Sequence, residues 1–107
     1  MTNAESDIVK LIGSRIKLTD PTAEVILFGS RARGNSKAES DWDILILIDT
    51  LKKDRSVEQK YRDELFKLEL ELGVSISTLI YSKADWETKY PYSSLNKNIQ
   101  DEGVRIT

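Results

Sequence analysis

Five consecutive apolar residues, Ile44-Leu45-Ile46-Leu47-Ile48, constrain the fold of this chain more than any other feature. A strand with one face in water alternates apolar and polar side chains, whereas an unbroken run of this kind is stable only where both faces of the sheet are covered. The run predicts a central strand over Asp41 to Asp49, and the rest of the sequence supplies its cover. Ile8, Leu11, Ile12 and Ile16 recur at helical spacing until Asp20-Pro21 breaks the pattern, predicting a helix from about Asn3 to Leu18. Glu24 to Phe28 reads as a buried strand feeding a turn at Gly29, with Ser30 to Arg33 as the first turn of a short helix and 34–40 as a loop. Val57, Tyr61, Leu65, Leu68 and Leu72 trace one face of a helix over Ser56 to Leu72, opened by a Ser56-x-x-Gln59 capping box and stopped by Gly73. A third strand follows over Val74 to Tyr81, then a short helix capped by Ser82, a last helix from Ser93 to Glu102, and a terminal strand at Val104-Arg105-Ile106. The order predicts an α/β (α+β) chain: a small mixed β-sheet with helices packed against it.

Length and composition narrow the chemistry. The 107 residues suffice for a single domain, residues 1–107, but not for a second one to hold an acceptor. With no cysteine and no histidine there is no thiolate site, no imidazole base and no usual zinc ligand, so a metal here is a hard cation held by oxygen. No apolar run reaches the length of a membrane span and the first ten residues lack a secretory profile, which gives the expectation of a cytoplasmic protein. Sixteen basic against eighteen acidic residues leave a net charge of −2, which argues against nucleic acid as the main partner. Arg31, Arg33 and Lys37 nonetheless cluster in one glycine-flanked segment, a local anion site on a mildly acidic chain.

The loop containing them opens with Gly29-Ser30-Arg31-Ala32-Arg33-Gly34. Glycine after a strand lets backbone N–H groups approach an oxyanion, and Ser30 adds a hydroxyl donor. Gly29-x-x-x-x-Gly34-Asn35-Ser36 falls short of a P-loop because Asn35 stands where that motif needs a lysine to reach the phosphates. Asp41 and Asp43, two apart, leave one face of a strand while Trp42 leaves the other. Two carboxylates about 5 Å apart at an effective dielectric near 20 repel by roughly 3 kcal/mol, a conflict that a divalent cation removes.

Phe28-Gly29-Ser30, ten residues, then Asp41-Trp42-Asp43-Ile44 resembles the motif of the DNA polymerase β-like nucleotidyltransferase superfamily. The form Phe-Gly-Ser-Arg-Ala-Arg-Gly with Ser-Asp-Trp-Asp, the chain length and the closing Asn98-Ile99-Gln100-Asp101-Glu102-Gly103 resemble the minimal nucleotidyltransferases, the MNT proteins often paired with a HEPN partner. The resemblance implies the polymerase β-like fold and Mg2+ (or Mn2+) held by Asp41 and Asp43, the catalytic pair. It further implies that Gly29, Ser30 and, for a further phosphate contact, Arg33 bind a nucleoside triphosphate, with ATP the expected one.

In that family a nucleoside monophosphate moves to an acceptor hydroxyl, here expected on a HEPN-type toxin neutralised by its antitoxin. The family's third carboxylate is expected where this chain has Val74-Ser75-Ile76, so Ser75 takes its place and cannot serve as base or strong magnesium ligand. Glu71, and after it Glu69 or Asp49, is the substitute within the chain; alternatively the partner brings the group, or the chain acts as an antitoxin that binds without transfer. Modification of a small molecule such as an antibiotic is a further alternative, and a homodimer would give so short a chain a cleft for it. Trp42, Trp86, Tyr90 and Tyr92 read as core or rim packing, with 86–92 as a docking surface if exposed.

Overall fold

The computed structural model describes residues 1–50 and 54–106. Helix α1 (Asn3–Thr19) opens with a capping box in which Thr2 and Glu5 exchange side chain-to-backbone bonds. Strand β1 (Glu24–Phe28) leads through Gly29 into the four-residue α2 (Ser30–Arg33), and β2 (Trp42–Ile48) returns beside it. Helix α3 (Arg55–Leu72), β3 (Ile76–Ser82), α4 (Lys83–Thr88), α5 (Ser94–Glu102) and the two-residue β4 (Val104–Arg105) complete the chain.

The sheet order is β3-β2-β1-β4, so the apolar run is central as its composition requires. β1 is antiparallel to both β2 and β4, while β2 and β3 are parallel. On one face Val25, Leu27, Trp42, Ile44, Ile46 and Ile48 pack with residues of α1 and α3. On the other, Leu45 and Leu47 pack against Trp86 of α4 and Ile99 of α5. Period-2 geometry sends alternate residues of β2 into two different cores, which is why the run contains no polar residue.

Several element ends differ from expectation. Asp41 and Asp49 fall outside β2, and the third strand begins at Ile76, because Ser75 contributes only its carbonyl, which accepts the Trp42 N–H at 2.8 Å. Helix α3 starts one residue early: Asp54 is its N-cap, accepting from the Val57 N–H at 2.9 Å. Asp54 also accepts from Ser56 Oγ, and Gln59 bonds Asp63, so the expected Ser56–Gln59 capping box is not used. The Ser82 and Ser93 caps are as the sequence indicates.

The outer edge of β3 is blunted by its own helix. The Ile76 N–H donates to Glu69 Oε2 at 3.1 Å, and Arg62 donates to the Thr78 carbonyl at 3.1 Å. Side chains thereby satisfy groups that would otherwise template another strand. Below the sheet, buried Tyr61 donates its hydroxyl to Asp20 Oδ2 at 2.7 Å. Burial alone would raise the Asp20 pKa, but the bonds from Tyr61 and Thr22 outweigh it and hold the carboxyl below its ordinary value. Tyr61→Phe removes one donor to that carboxylate and is expected to lower the unfolding free energy in urea by about 1–3 kcal/mol. Among the described residues no helix is long and apolar enough to cross a membrane.

Candidate active site

The antiparallel register sets Phe28 opposite Asp43, so the end of β1 and the start of β2 meet at one corner of the sheet. Gly29 then turns the chain with φ 76°, in the left-handed region. A Cβ built there would land on Asp43 Oδ2, so the glycine backbone and the carboxylate are in direct apposition. The Gly29-Ser30 turn and the acidic motif, ten residues apart in sequence, therefore share one site.

A cleft of about 370 Å³ opens at this corner, lined by Phe28, Gly29, Ser30, Arg33 and Asp43 from one side and by Leu95, Asn98 and Glu102 of α5 from the other. Its volume is at the lower end of the range for small-ligand sites. The N–H groups of Ser30 and Arg31 have no acceptor among the described residues, as expected for the first positions of a helical turn. Ser30 Oγ is likewise unpartnered among them. Arg33, 43% exposed, pairs with Glu102 at 3.1 Å. The turn thus presents donors and a cation to the cleft.

Asp43 is half-buried, and its carboxylate accepts no hydrogen bond from any described residue. Burial first and the Asp41 charge second push its pKa above the ordinary aspartate value, with Arg33 pulling the other way. Asp41 precedes β2, is exposed, and is not among the residues lining the cleft; it acts on Asp43 through its charge. Of the five residues expected at the site, Gly29, Ser30, Arg33 and Asp43 line one cleft, and Asp41 flanks it.

The donor set suits a hard divalent cation. A half-buried carboxylate without a donor, beside a second carboxylate, is a conflict that such an ion relieves, and two protein oxygens suffice when phosphate and water complete the shell. No group of three or more acidic, histidine or cysteine side chains that could enclose a metal occurs among the described residues.

The candidate substitutes for a third acid lie elsewhere. Glu71 pairs with Arg15 of α1 at 3.0 Å, and Glu69 caps β3 from α3, both on the sheet face opposite Asp43. Asp49 is beyond the far end of β2, 3.1 Å from Lys83. Ser77, in register with Asp43, is no acid either.

The α5 wall was missed in the sequence, although Leu95, Asn98 and Glu102 recur at helical spacing and the last ends the segment at Gly103. Trp42 and Trp86 are core residues, Tyr90 is 40% exposed against Tyr81, and Tyr92 is 97% exposed.

A family profile described as nucleotidyltransferase domain matches residues 8–106. A Methanocaldococcus jannaschii protein, provisionally named protein adenylyltransferase MJ0604, is 34% identical over 103 residues, 94% of this chain and 95% of its own. A second from that organism, provisionally named protein adenylyltransferase MJ0141, is 42% identical over 69 residues, 62% of this chain and 66% of its own. A solved structure described as a toxin–antitoxin with AMP-PNP shares the fold, with a TM-score of 0.60 and 21% identity over 99% of this chain and 73% of that one. The chain belongs to the nucleotidyltransferase domain family and is a minimal nucleotidyltransferase.

Proposed function

We propose that this nucleotidyltransferase moves a nucleoside monophosphate from ATP to a hydroxyl on a partner protein, in the manner of a toxin–antitoxin pair. The observation that carries the reading is the apposition of Gly29 and Asp43, which joins a phosphate-binding turn to a metal-binding carboxylate. ATP as the nucleotide and a protein as the acceptor rest on the adenylyltransferase relatives and on the fold neighbour with AMP-PNP.

In this mechanism the polyphosphate lies along the Ser30 and Arg31 N–H groups and the Ser30 hydroxyl, with Arg33 exchanging Glu102 for a phosphate oxygen. Asp41 and Asp43 hold Mg2+, which when bound supplies charge neutralisation on the phosphate oxygens. The acceptor oxygen forms a bond to the α-phosphorus as the bond to the β-phosphate oxygen breaks, and pyrophosphate departs. No carboxylate stands at Ser75 to take the hydroxyl proton, so the proton leaves to water or to a group of the partner, and the chain alone turns over slowly. The same feature favours a second reading, an antitoxin that binds nucleotide and partner without efficient transfer.

The experiment is transfer of label from α-labelled ATP with Mg2+ to the helical HEPN-type product of a neighbouring reading frame. Label on that partner is expected, and Ser75→Asp is expected to speed its appearance about 10²-fold by restoring a base. Neutralisation of the partner with no label transferred, by wild type or Ser75→Asp, would support the second reading.

A further inference from the structure

Arg31 lies two residues beyond the Gly29 turn with its side chain only 10% exposed. Residues two apart on a helical turn point about 200° apart, so Arg31 leaves α2 away from Arg33 and the cleft. Its guanidinium carbon sits 4.6 Å from the centre of the Trp42 ring. Nη2 donates to the carbonyls of Ala38 at 3.2 Å and Ser40 at 2.9 Å, and Nη1 lies 3.5 Å from Glu5 Oε2. Ser40 immediately precedes Asp41, and Trp42 separates Asp41 from Asp43. One side chain thus ties the turn at Gly29 to the backbone on one flank of the dyad and to the ring at its centre.

Two further observations argue that this link serves more than stability. Arg31 Nε and Trp42 Nε1 are buried without an acceptor among the described residues, which a corner selected for stability alone would avoid. A hollow of about 310 Å³ lined by Arg31, Ser40, Val74 and Ser75 lies beside the stack, so packing leaves the segment open there, and the Arg31 bonds hold it together with the turn in which Lys37 and Ser40 exchange hydrogen bonds.

Resting on the reading that Asp41 and Asp43 hold the metal, we infer that Arg31 is a positioning residue for the dyad, orienting the 38–41 backbone and Trp42 so that both carboxylates converge on the Gly29 side. Its side chain reaches neither the metal nor the nucleotide; only its backbone N–H faces the phosphates. A planar fork that stacks on an indole while donating to two carbonyls is a task for arginine, and lysine cannot reproduce it.

The test uses the full chain as wild type, Arg31→Lys, Trp42→Phe, Glu5→Gln and Asp43→Asn. Mn2+ binding is read from loss of the free-ion paramagnetic resonance signal, and backbone exchange over 36–41 by mass spectrometry. Arg31→Lys is expected to weaken Mn2+ about tenfold, the low end for a group that supports a metal ligand, and to speed exchange over 36–41 but not in α3. Trp42→Phe should weaken Mn2+ about threefold, and Glu5→Gln, which touches only Nη1, less than twofold. Mn2+ affinity within twofold of wild type in the folded Arg31→Lys protein overturns the inference. Trp42→Phe decides by the same criterion if Arg31→Lys does not fold. Undiminished Mn2+ binding by Asp43→Asn instead overturns the reading of the site.

Discussion

Asp43→Asn is expected to cut nucleotidyl transfer about 10³-fold, the loss anticipated when metal-borne charge stabilisation worth several kcal/mol is removed. The same substitution is expected to stabilise the free protein at neutral pH. Burial, then the charge of Asp41, hold the Asp43 pKa above its ordinary value despite Arg33. The folded state therefore favours the protonated form more than the unfolded state does. That contribution is complete below the ordinary aspartate pKa and is lost as pH rises through the raised folded value. At pH 7 the ionised group opposes folding, and the amide removes the opposition. Thermal melts should give Asp43→Asn a higher midpoint than wild type at pH 7, with the gap closing on acidification. Saturating Mg2+ should raise the wild-type midpoint and leave that of Asp43→Asn unchanged, because only a protein that binds the ion gains from it. A site that trades stability for function has this signature.

Gly29→Ala is expected to lower kcat/KM about 10²-fold and stability by about 1–3 kcal/mol. The backbone at φ 76° disfavours any side chain, and the added methyl would occupy the place of Asp43 Oδ2, so the carboxylate must move. Gly34→Ala is the matched control: φ is 81° there, but nothing lies within 4 Å of the added Cβ. It should show a comparable strain cost, about 1–2 kcal/mol, with transfer nearly intact. Equal losses of activity in the two variants would mean that the Gly29–Asp43 apposition is not what the reaction uses.

The architecture was legible wherever one residue type had one physical solution. Ile44 to Ile48 could only be a doubly covered strand, and it is central between β1 and β3. Helix ends were legible where a single capping residue stood nearby, as at Ser82 and Ser93, and misread where Asp54 and Ser56 compete for the same start. The site was half legible. Gly29, Ser30 and Asp43 are close in sequence and adjacent in the sheet, so spacing and strand order suffice to join them. Glu102 reaches Arg33 from 69 residues away, a juxtaposition set by how α5 packs on Leu45 and Leu47, which no local pattern encodes. Helical periodicity separates Arg31 from Arg33, but that one arginine serves the cleft and the other the Trp42 corner appears only once the layers are in place. Glu69 and Glu71 looked available because sequence distance does not reveal which sheet face α3 covers.

The central claim is that the Gly29-Ser30 turn and the Asp41–Asp43 pair hold a metal–triphosphate complex together. A crystal structure of the protein with Mn2+ and AMP-PNP, with anomalous differences collected for manganese, tests it most directly. The account predicts a manganese peak within coordination distance of both carboxylates, with the triphosphate against the N–H groups of Ser30 and Arg31. Nucleotide bound elsewhere on the surface, or manganese absent from Asp43 while nucleotide is present, would contradict it.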